Sequence, residues 1–558
     1  MSTSSVAVSA SPSTASPPAF VAAFPTNLSH RPLLGILGVI LGAGSVTLTA
    51  RLLSLGLADL KGNVGIGFDD GAWIATVYNT ALIFIGPISV YLGGLLGARR
   101  VLLIGAGTFA VTCGSLPLVH SYSLMIFLLM LAGLTSGTFY PLTLTFALRN
   151  IPLRYLTVVL GLYVVSIEGA VNFAPTLYGF FRDYLSWKWM FWCPAMITPL
   201  MMTCIDFGIP PPPRREGQQP PPSFAGFLYL SAGLALVYAA LDQGERLDWW
   251  RSGDFTALFA AGVFLLLCAL ERRLRKANHL VDLSHLQKWN TVLLAVALFA
   301  FRFVLLATIM IIPQSLAIRG LDPLQYGPAV LWSAVYEMVL AFIGALFLYK
   351  GMDTRLLMAV GFACIAFACL LNADFTSAWA PENYFRTELL LAVGQSFAML
   401  GLVSSIILQA AFSGTLEAPH RTLTVSAFFH TVRLFGGQAG AVCMVRYVAT
   451  REELHSNLLG LHVQSGQWVT MEMLRKLTAG MAAKSNGALT AANRAAGIIE
   501  ANTRLQAYSL TFIDAFQLIA WACAIMLVIT VMLRKAPMGF HQLAAMQEET
   551  ISAKEGQK

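Results

Sequence analysis

The chain alternates between long apolar runs and short polar connections from about residue 33 to residue 533. A helix needs about 20 apolar residues to cross a bilayer, whereas a barrel strand needs about 10 residues of alternating polarity. Because the apolar runs do not alternate, they predict membrane-spanning helices. We identify fourteen, at residues 33–56, 72–93, 101–118, 123–147, 156–180, 187–207, 224–241, 254–270, 291–313, 328–349, 356–371, 387–411, 425–447 and 510–533.

Composition and charge agree with an integral membrane protein. Of the 558 residues, 57% are hydrophobic and only 11% are charged, whereas soluble domains carry about 25% charged residues. Placing both termini in the cytoplasm puts 17 basic residues in the short inner loops and 7 in the outer ones. Because Lys and Arg are retained on the cytoplasmic side, we expect a membrane protein with both termini in the cytoplasm. The basic residues are scattered, so no nucleic-acid partner is expected.

Two similar stretches divide the chain. "RRVLLIG" (99–105) follows the second apolar run and "RLLMAVG" (355–361) follows the tenth. If runs seven and eight are set aside, these stretches take equivalent places in two units of six helices, an arrangement typical of secondary transporters. We therefore expect a disordered cytoplasmic tail, two six-helix bundles, a Pro-rich linker with two extra helices between them, and a cytoplasmic tail. The first tail covers 1–30 and the second 535–558. The bundles cover 31–208 and 291–534, and the linker with the two extra helices covers 209–290.

Longer motifs carry a family resemblance. They are "WIATVYNTALIFIGPISVYLGGLLGARRVLLIG" (73–105), "LMLAGLTSGTFYPLTLTFAL" (129–148), "GAVNFAPTLYGFFRDYLSWKWMFW" (169–192), "SAFFHTVRLFGGQAGAV" (426–442) and "QAYSLTFIDAFQL" (506–518). In this order and spacing they resemble the fourteen-helix drug:proton antiporter branch of the major facilitator superfamily, the EmrB/QacA-like group. The resemblance implies an all-α integral membrane fold of two six-helix bundles plus two inserted helices. It also implies a location in the bacterial inner membrane and proton-driven export of lipophilic or cationic small molecules.

The sequence departs from the family pattern at the usual coupling positions. The loop after the second helix lacks the family's Asp, the first helix lacks its acid, and Leu129 stands where the fourth helix usually has Arg. Proton coupling must therefore be predicted from the residues present. The loop retains Gly94, Arg99 and Arg100, for which the resemblance implies a gating role.

Ionisable residues within the apolar runs are the main functional candidates, since each costs about 2.5–3.5 kcal/mol to insert. We predict that Glu168, the deepest acid of the first bundle, binds the coupling proton and that Arg51 is its counter-ion. Glu388 and Asp514, near helix ends, are further coupling candidates, and Arg302 is an intramembrane charge without a predicted role. Residues expected in the substrate cavity are Asn172, Trp332, Tyr336, Glu337, Gln395, His430 and Arg433. For each of them structural packing is the alternative.

The segment 448–508 is longer than the other outer connections and shows helical apolar spacing, for example at Leu454, Leu458 and Leu461. Loops above about 12–15 residues are usually functional or disordered. We expect a helical hairpin that docks a periplasmic adaptor, and through it an outer-membrane channel. The alternative is a hairpin that only caps the bundle.

Several other functions are not supported by the sequence. It has no G-x-x-x-x-G-K-[ST] loop for ATP and no nucleophile–base constellation, so we expect no enzyme. Its eight cysteines show no metal spacing, and no metal or cofactor is expected. Two classes remain: a proton-coupled exporter, with siderophores or metabolites as alternative substrates, and a non-transporting membrane sensor or scaffold. The retained Glu168, Glu337, Glu388 and Arg433 favour the exporter, because a scaffold has no reason to bear their insertion cost.

Overall fold

A computed structural model describes residues 32–208, 224–275, 288–413, 419–483 and 487–555. Within these ranges the chain consists mainly of helices and forms no strand, which confirms the predicted all-α fold. Thirteen of the helices described are long and apolar enough to cross a membrane. The remaining predicted span lies in a more polar helix, Pro419–Gly460. The expected tail at 1–30 and most of the Pro-rich linker lie outside the described residues.

The first half of the chain, residues 32–208, packs around one buried apolar cluster that includes Leu52, Tyr78, Phe109 and Phe139. The predicted fourth span is split in two at Gly137–Thr138. The helices of this half are α1 (Pro32–Leu55), α2 (Leu57–Val64), α3 (Phe68–Leu96), α4 (Ala98–Ser115), α5 (Tyr122–Ser136), α6 (Phe139–Asn150), α7 (Leu153–Phe180) and α8 (Trp189–Gly208).

The second half, residues 288–555, packs around another buried cluster, which also includes Leu153, Leu156 and Leu160 of α7. Two further helices lie between the halves in sequence. A π-helical turn at Ala307–Ile311 interrupts the predicted ninth span. The remaining helices are α9 (Phe224–Gln243), α10 (Gly253–Arg275), α11 (Trp289–Val304), α12 (Ile312–Ala317), α13 (Pro323–Tyr326), α14 (Pro328–Tyr349), α15 (Thr354–Asn372), α16 (Pro381–Phe412), α17 (Pro419–Gly460), α18 (Trp468–Ala482), α19 (Ala488–Met532) and α20 (Phe540–Glu555).

Three helix pairs form most of the boundary between the halves. Helix α7 packs along α14, and α17 packs against α3 and α6. The inserted helices α9 and α10 pack on each other, and α9 also lies against α3 and α17. The boundary between the halves is therefore built mainly from α3, α7, α14 and α17, and side chains on these helices determine how the halves interact.

The two similar sequence stretches occupy equivalent structural positions. Arg99 is the second residue of α4, and its Nη2 donates to the backbone carbonyl of Asp206 (2.9 Å) and to its carboxylate (2.5 Å), near the end of α8. Arg355 is the second residue of α15, and its Nη1 donates to the carbonyl of Leu533 (2.9 Å), directly after α19. In each half, a cation satisfies carbonyls at the end of the half's last transmembrane helix. The internal repeat therefore has a structural counterpart.

The predicted gating residue Arg99 pairs with Asp206, which belongs to its own half of the protein. Gly94 lies exposed near the end of α3, and Arg100 is exposed on α4. The gating role implied by the resemblance remains a prediction for these three residues.

The outer segment is helical, as its spacing predicts, but its limits differ from the expected 448–508. Helix α17 continues to Gly460, α19 starts at Ala488, and α18 lies between them and packs on α19. The arms of the expected hairpin are therefore direct continuations of two transmembrane helices. The predicted tail at 535–558 is also structured over α20.

Candidate functional site

A buried acid on α7 meets a buried base from the other half. Glu168 is 1% exposed, and its Oε1 lies 3.8 Å from Nη1 of Arg302 on α11. The predicted pairing of Glu168 with Arg51 is wrong: the Arg51 guanidinium donates to the backbone carbonyl of Ile309 in the π-helical turn. Both arginines therefore reach from one half of the protein to the other. The Glu168–Arg302 pair is an intramembrane ion pair across the boundary.

Residues 433–437 of α17 form an R-x-x-G-G pattern, and its two glycines explain how Arg302 packs against this helix. A side chain at Gly436 would lie 2.9 Å from backbone and 3.0 Å from side-chain atoms of Phe299, so only Gly allows α11 to approach this closely. A Cβ at Gly437 would lie 3.2 Å from Nε of Arg302. The two glycines thus make the space in which the guanidinium faces Glu168.

The arginine of the same pattern is part of an aromatic cluster. The Arg433 guanidinium lies 4.6 Å from the centre of the Tyr140 ring, a cation–π geometry. The His430 ring lies 4.7 Å from the same Tyr140 ring. The Tyr140 hydroxyl in turn contacts the Thr47 hydroxyl on α1. Both α17 side chains are buried, so Tyr140 joins α17 to the first half beside the ion pair.

One turn along α7 from Glu168, a chain of side-chain hydrogen bonds crosses the same boundary. Asn172 Nδ2 donates to Glu337 Oε1 on α14 (3.0 Å) and to Gln395 Oε1 on α16 (3.2 Å). Gln395 Nε2 then donates to the Thr308 hydroxyl in the π-helical turn (2.9 Å). The Asn172 amide of the first half thus bonds to α14 and α16 of the second half, and Gln395 extends the chain to the π-helical turn.

Many polar atoms of this region lack a hydrogen-bond partner among the described residues. They are Glu168 Oε1, Arg302 Nε and Nη1, Glu337 Oε2, both carboxyl oxygens of Glu388, His430 Nε2 and Arg433 Nε. An unsatisfied buried polar group costs about 1–3 kcal/mol. Their concentration near one boundary, inside an apolar protein, makes this region the candidate functional site.

Some predicted site residues lie elsewhere. Trp332 is 45% exposed and stacks on Tyr336, with ring centres 6.3 Å apart, while Glu337 of the same helix is buried. The expectation that the aromatic pair and Glu337 share a cavity is wrong, because they occupy different faces of α14. Asp514 pairs with Arg451 (2.5 Å) and His455 (2.8 Å), where α17 extends into the outer segment. Its contacts connect two helices within the second half.

Glu388, predicted to lie near a helix end, is enclosed by the protein rather than exposed. It is fully buried on α16, two turns before Gln395 on the same face. Its backbone carbonyl accepts a hydrogen bond from the Ser333 hydroxyl (3.4 Å), and its carboxyl group adds a third buried acid to this region. Burial on the face of Gln395 keeps Glu388 among the coupling candidates.

Sequence reasoning did not find the roles of Arg302, Tyr140 and Thr308. Arg302 was detectable as a charge inside an apolar run, but periodicity along one helix cannot show which residue of another helix it faces. Tyr140 and Thr308 carry no charge, so nothing separated them from ordinary packing residues.

Comparison with known proteins matches residues 36–441 to the Major Facilitator Superfamily. The chain belongs to this superfamily. Among major facilitator proteins similar to it, the multidrug export protein EmrB of Haemophilus influenzae is 23% identical over 421 residues, covering 75% of this chain and 80% of that protein. EmrB of Escherichia coli K12 is 22% identical over 73% of this chain and 78% of its own length. The fatty acid resistance protein FarB of Neisseria gonorrhoeae is 22% identical over 75% and 80%.

These similarities confirm the predicted EmrB-like branch, and solved major facilitator structures confirm the fold. The proton:xylose symporter XylE, bound to 6-bromo-6-deoxy-D-glucose, aligns with a TM-score of 0.53 at 11% identity over 93% of this chain and all of that one. The human organic anion transporter MFSD10 aligns with a TM-score of 0.51 at 12% identity over 89% of this chain and all of that one. The protein is thus a multi-pass membrane protein of a transporter superfamily.

Proposed function

We propose that this major facilitator protein is a proton-coupled exporter of lipophilic or cationic small molecules. The observation that carries the proposal is the buried Glu168–Arg302 pair, which joins the two halves where alternating access requires them to separate. Similarity to the EmrB multidrug export proteins supports the same reaction.

In the proposed mechanism the Glu168 carboxylate binds the coupling proton. A proton on Glu168 removes the negative charge that faces Arg302, so the electrostatic attraction between the halves falls. Loss of the proton restores that attraction. If substrate binding displaces the proton from Glu168, substrate and proton move in opposite directions. One side chain then links proton binding to the relative position of the halves.

We place the substrate path along the boundary beside this pair. The candidates that line it are Asn172, Glu337, Gln395, His430 and Arg433, with Glu388 behind Gln395. Asn172 bonds directly to Glu337 and Gln395, so separation of the halves breaks these hydrogen bonds and exposes the three side chains together. Polar groups released in this way supply the orienting contacts of an otherwise apolar pocket.

The proposed orientation has both termini in the cytoplasm of a bacterium, with the protein in the inner membrane. The excess of 17 basic residues against 7 in the short loops supports it. The face that carries Arg99 and Arg355 is then cytoplasmic, and α18 lies on the opposite side.

We further propose that the outer segment docks a periplasmic adaptor of an envelope-spanning pump. In support, a cleft of about 650 Å³ lies between the extensions of α17 and α19 and helix α18. Leu454, Leu458 and Leu461 do not line this cleft but are exposed on another face of the α17 extension, where an apolar stripe suits contact with a helical partner. Replacing 457–500 with a Gly/Ser linker keeps Arg451, His455 and Asp514. Transport in inside-out vesicles should survive while resistance of intact cells fails; persistence of both would refute the adaptor.

Transport in proteoliposomes tests the main function. Purified protein is reconstituted, a pH gradient is imposed, and movement of a cationic dye, a fatty acid and a neutral lipophile is followed. We expect gradient-driven transport of at least one of these compounds, coupled proton movement in the opposite direction, and loss of both on addition of a protonophore. Absence of proton-coupled transport across the panel would favour the sensor or scaffold alternative.

A further inference from the structure

The helix after the last transmembrane span has one buried face. Phe540, Leu543, Ala544 and Gln547 of α20 are buried at spacing i, i+3, i+4, i+7, whereas the neighbouring Ala545 is exposed. This is the spacing of an amphipathic helix docked on a protein surface. The sequence predicts only a cytoplasmic tail for 535–558, and a tail free in solvent has no reason to bury such a stripe.

The stripe contacts both halves of the protein at once. Helix α20 packs against the start of α7 in the first half and the end of α14 in the second. Gln547 Oε1 accepts a hydrogen bond from the Leu153 backbone N–H (3.4 Å), which is one of the unpaired donors in the first turn of α7. On the other side, the His541 ring lies 6.1 Å from the Tyr349 ring of α14.

Residues 533–534, which precede α20 and are called its root below, are fixed to the second half. The carbonyl of Leu533 accepts from Arg355, and the backbone N–H of Arg534 donates to Asn290 Oδ1 (2.8 Å). Asn290 is itself held by Gln409 of α16, to which its Nδ2 donates (3.0 Å). The contact with α7 is thus the part of the α20 interface that a relative movement of the halves must break.

A helix lying on the membrane surface would explain an amphipathic tail differently, but charge argues against it. Glu548 and Glu549 lie on the exposed face of α20, and the helix sequence contains three acidic residues and one lysine. Surface-bound helices use Lys and Arg to attract anionic lipid, and acidic residues are repelled there. The apolar stripe, moreover, already packs in one cluster with Leu153 and Leu156 of α7.

We infer that α20 is a latch that holds the halves together on the face carrying Arg99 and Arg355, and that it must leave α7 before this face opens. The latch remains attached to the second half through its root and releases only the α7 contact. The interface between α20 and α7 would thus have two discrete states, formed and broken. Its role in transport rests on the proposed function, whereas the contact itself can be measured without transport.

Cysteine labelling of the purified full-length protein tests the latch. A single cysteine replaces Leu153 after the eight native cysteines have been substituted. Two variants differ by one position: Ala544→Glu places a charge in the stripe, and Ala545→Glu places it on the exposed face. We expect Ala544→Glu to speed thiol labelling at position 153 several-fold and Ala545→Glu to leave it unchanged. Equal rates in the parent and both variants would overturn the latch.

A second pair of measurements covers misfolding and function. If Ala544→Glu elutes as aggregate, Gln547→Ala removes the α7 cap while keeping the apolar stripe, and the same increase in labelling is expected. Cross-linking cysteines at 153 and 547 should stop export, and reduction should restore it; export at the parental rate while cross-linked would refute the latch. Failure of the parent to export would contradict the proposed function while leaving the labelling result intact.

Discussion

At the boundary between the halves, the surroundings of one side chain are set by a few individual residues. Glu168 faces Arg302 across the boundary, and Gly437 leaves the space that Arg302 occupies. The sequence alone identifies Glu168, Glu337 and Arg433 as costly intramembrane groups. It could not identify Arg302 as the counter-ion instead of Arg51, because both arginines lie in apolar runs and only the packing of α11 against α17 distinguishes them.

This pairing predicts non-additive stability. Arg302→Gln leaves Glu168 buried without its cation, and removal of one partner of a buried pair costs about 3–5 kcal/mol. We expect the double variant Glu168→Gln/Arg302→Gln to recover most of this loss, since neither charge then remains. Thermal unfolding of the purified variants in detergent measures the effect. Additive losses in the double variant would show that the two side chains do not interact.

At the scale of the helices, apolar run length predicts where transmembrane segments occur but not where they break. The fourteen runs correspond to helices, yet the fourth is split at Gly137–Thr138 and the ninth contains the π-helical turn. These breaks depend on contacts with other helices, which a run of apolar residues does not encode. The extension of α17 to Gly460 was missed for a related reason: beyond the span it is held by the pairing of Arg451 and His455 with Asp514.

Two glycines, one at a close helix contact and one at an ordinary contact, give a prediction at this scale. A Cβ at Gly133 of α5 would lie 2.3 Å from the Tyr78 carbonyl oxygen of α3, so Gly133→Ala must push two helices apart. Overpacking of this kind costs about 1–3 kcal/mol. At Gly107 of α4 the nearest atom would be Met202 Cε at 3.6 Å, an ordinary contact, so Gly107→Ala should be neutral. Equal unfolding temperatures for the two variants would contradict the packing of α3 on α5.

At the scale of the whole molecule, the repeat and the charge distribution are the most informative sequence features. Arg99 and Arg355 bind the ends of α8 and α19 in the same way, as the repeated sequence suggests. The docking of α20 was not predictable, because its stripe is short and its partners are distant in sequence.

Orientation follows from charge and has a direct test. A membrane-impermeant thiol reagent added to intact cells should label a cysteine at position 480, within α18, and should not label one at position 277, in the basic inner connection. Lysed cells serve as the control in which both positions react. Labelling at 277 but not at 480 in intact cells would reverse the proposed orientation.

The proposal that Glu168 carries the coupling proton is tested most directly by Glu168→Gln in proteoliposomes, with Asp514→Asn as a control acid outside the boundary between the halves. Export driven by an imposed pH gradient and exchange of labelled for unlabelled substrate without a gradient are measured on the same preparations. The account predicts that Glu168→Gln loses gradient-driven export and keeps exchange, while Asp514→Asn keeps both. Gradient-driven export at the parental rate in Glu168→Gln would contradict it.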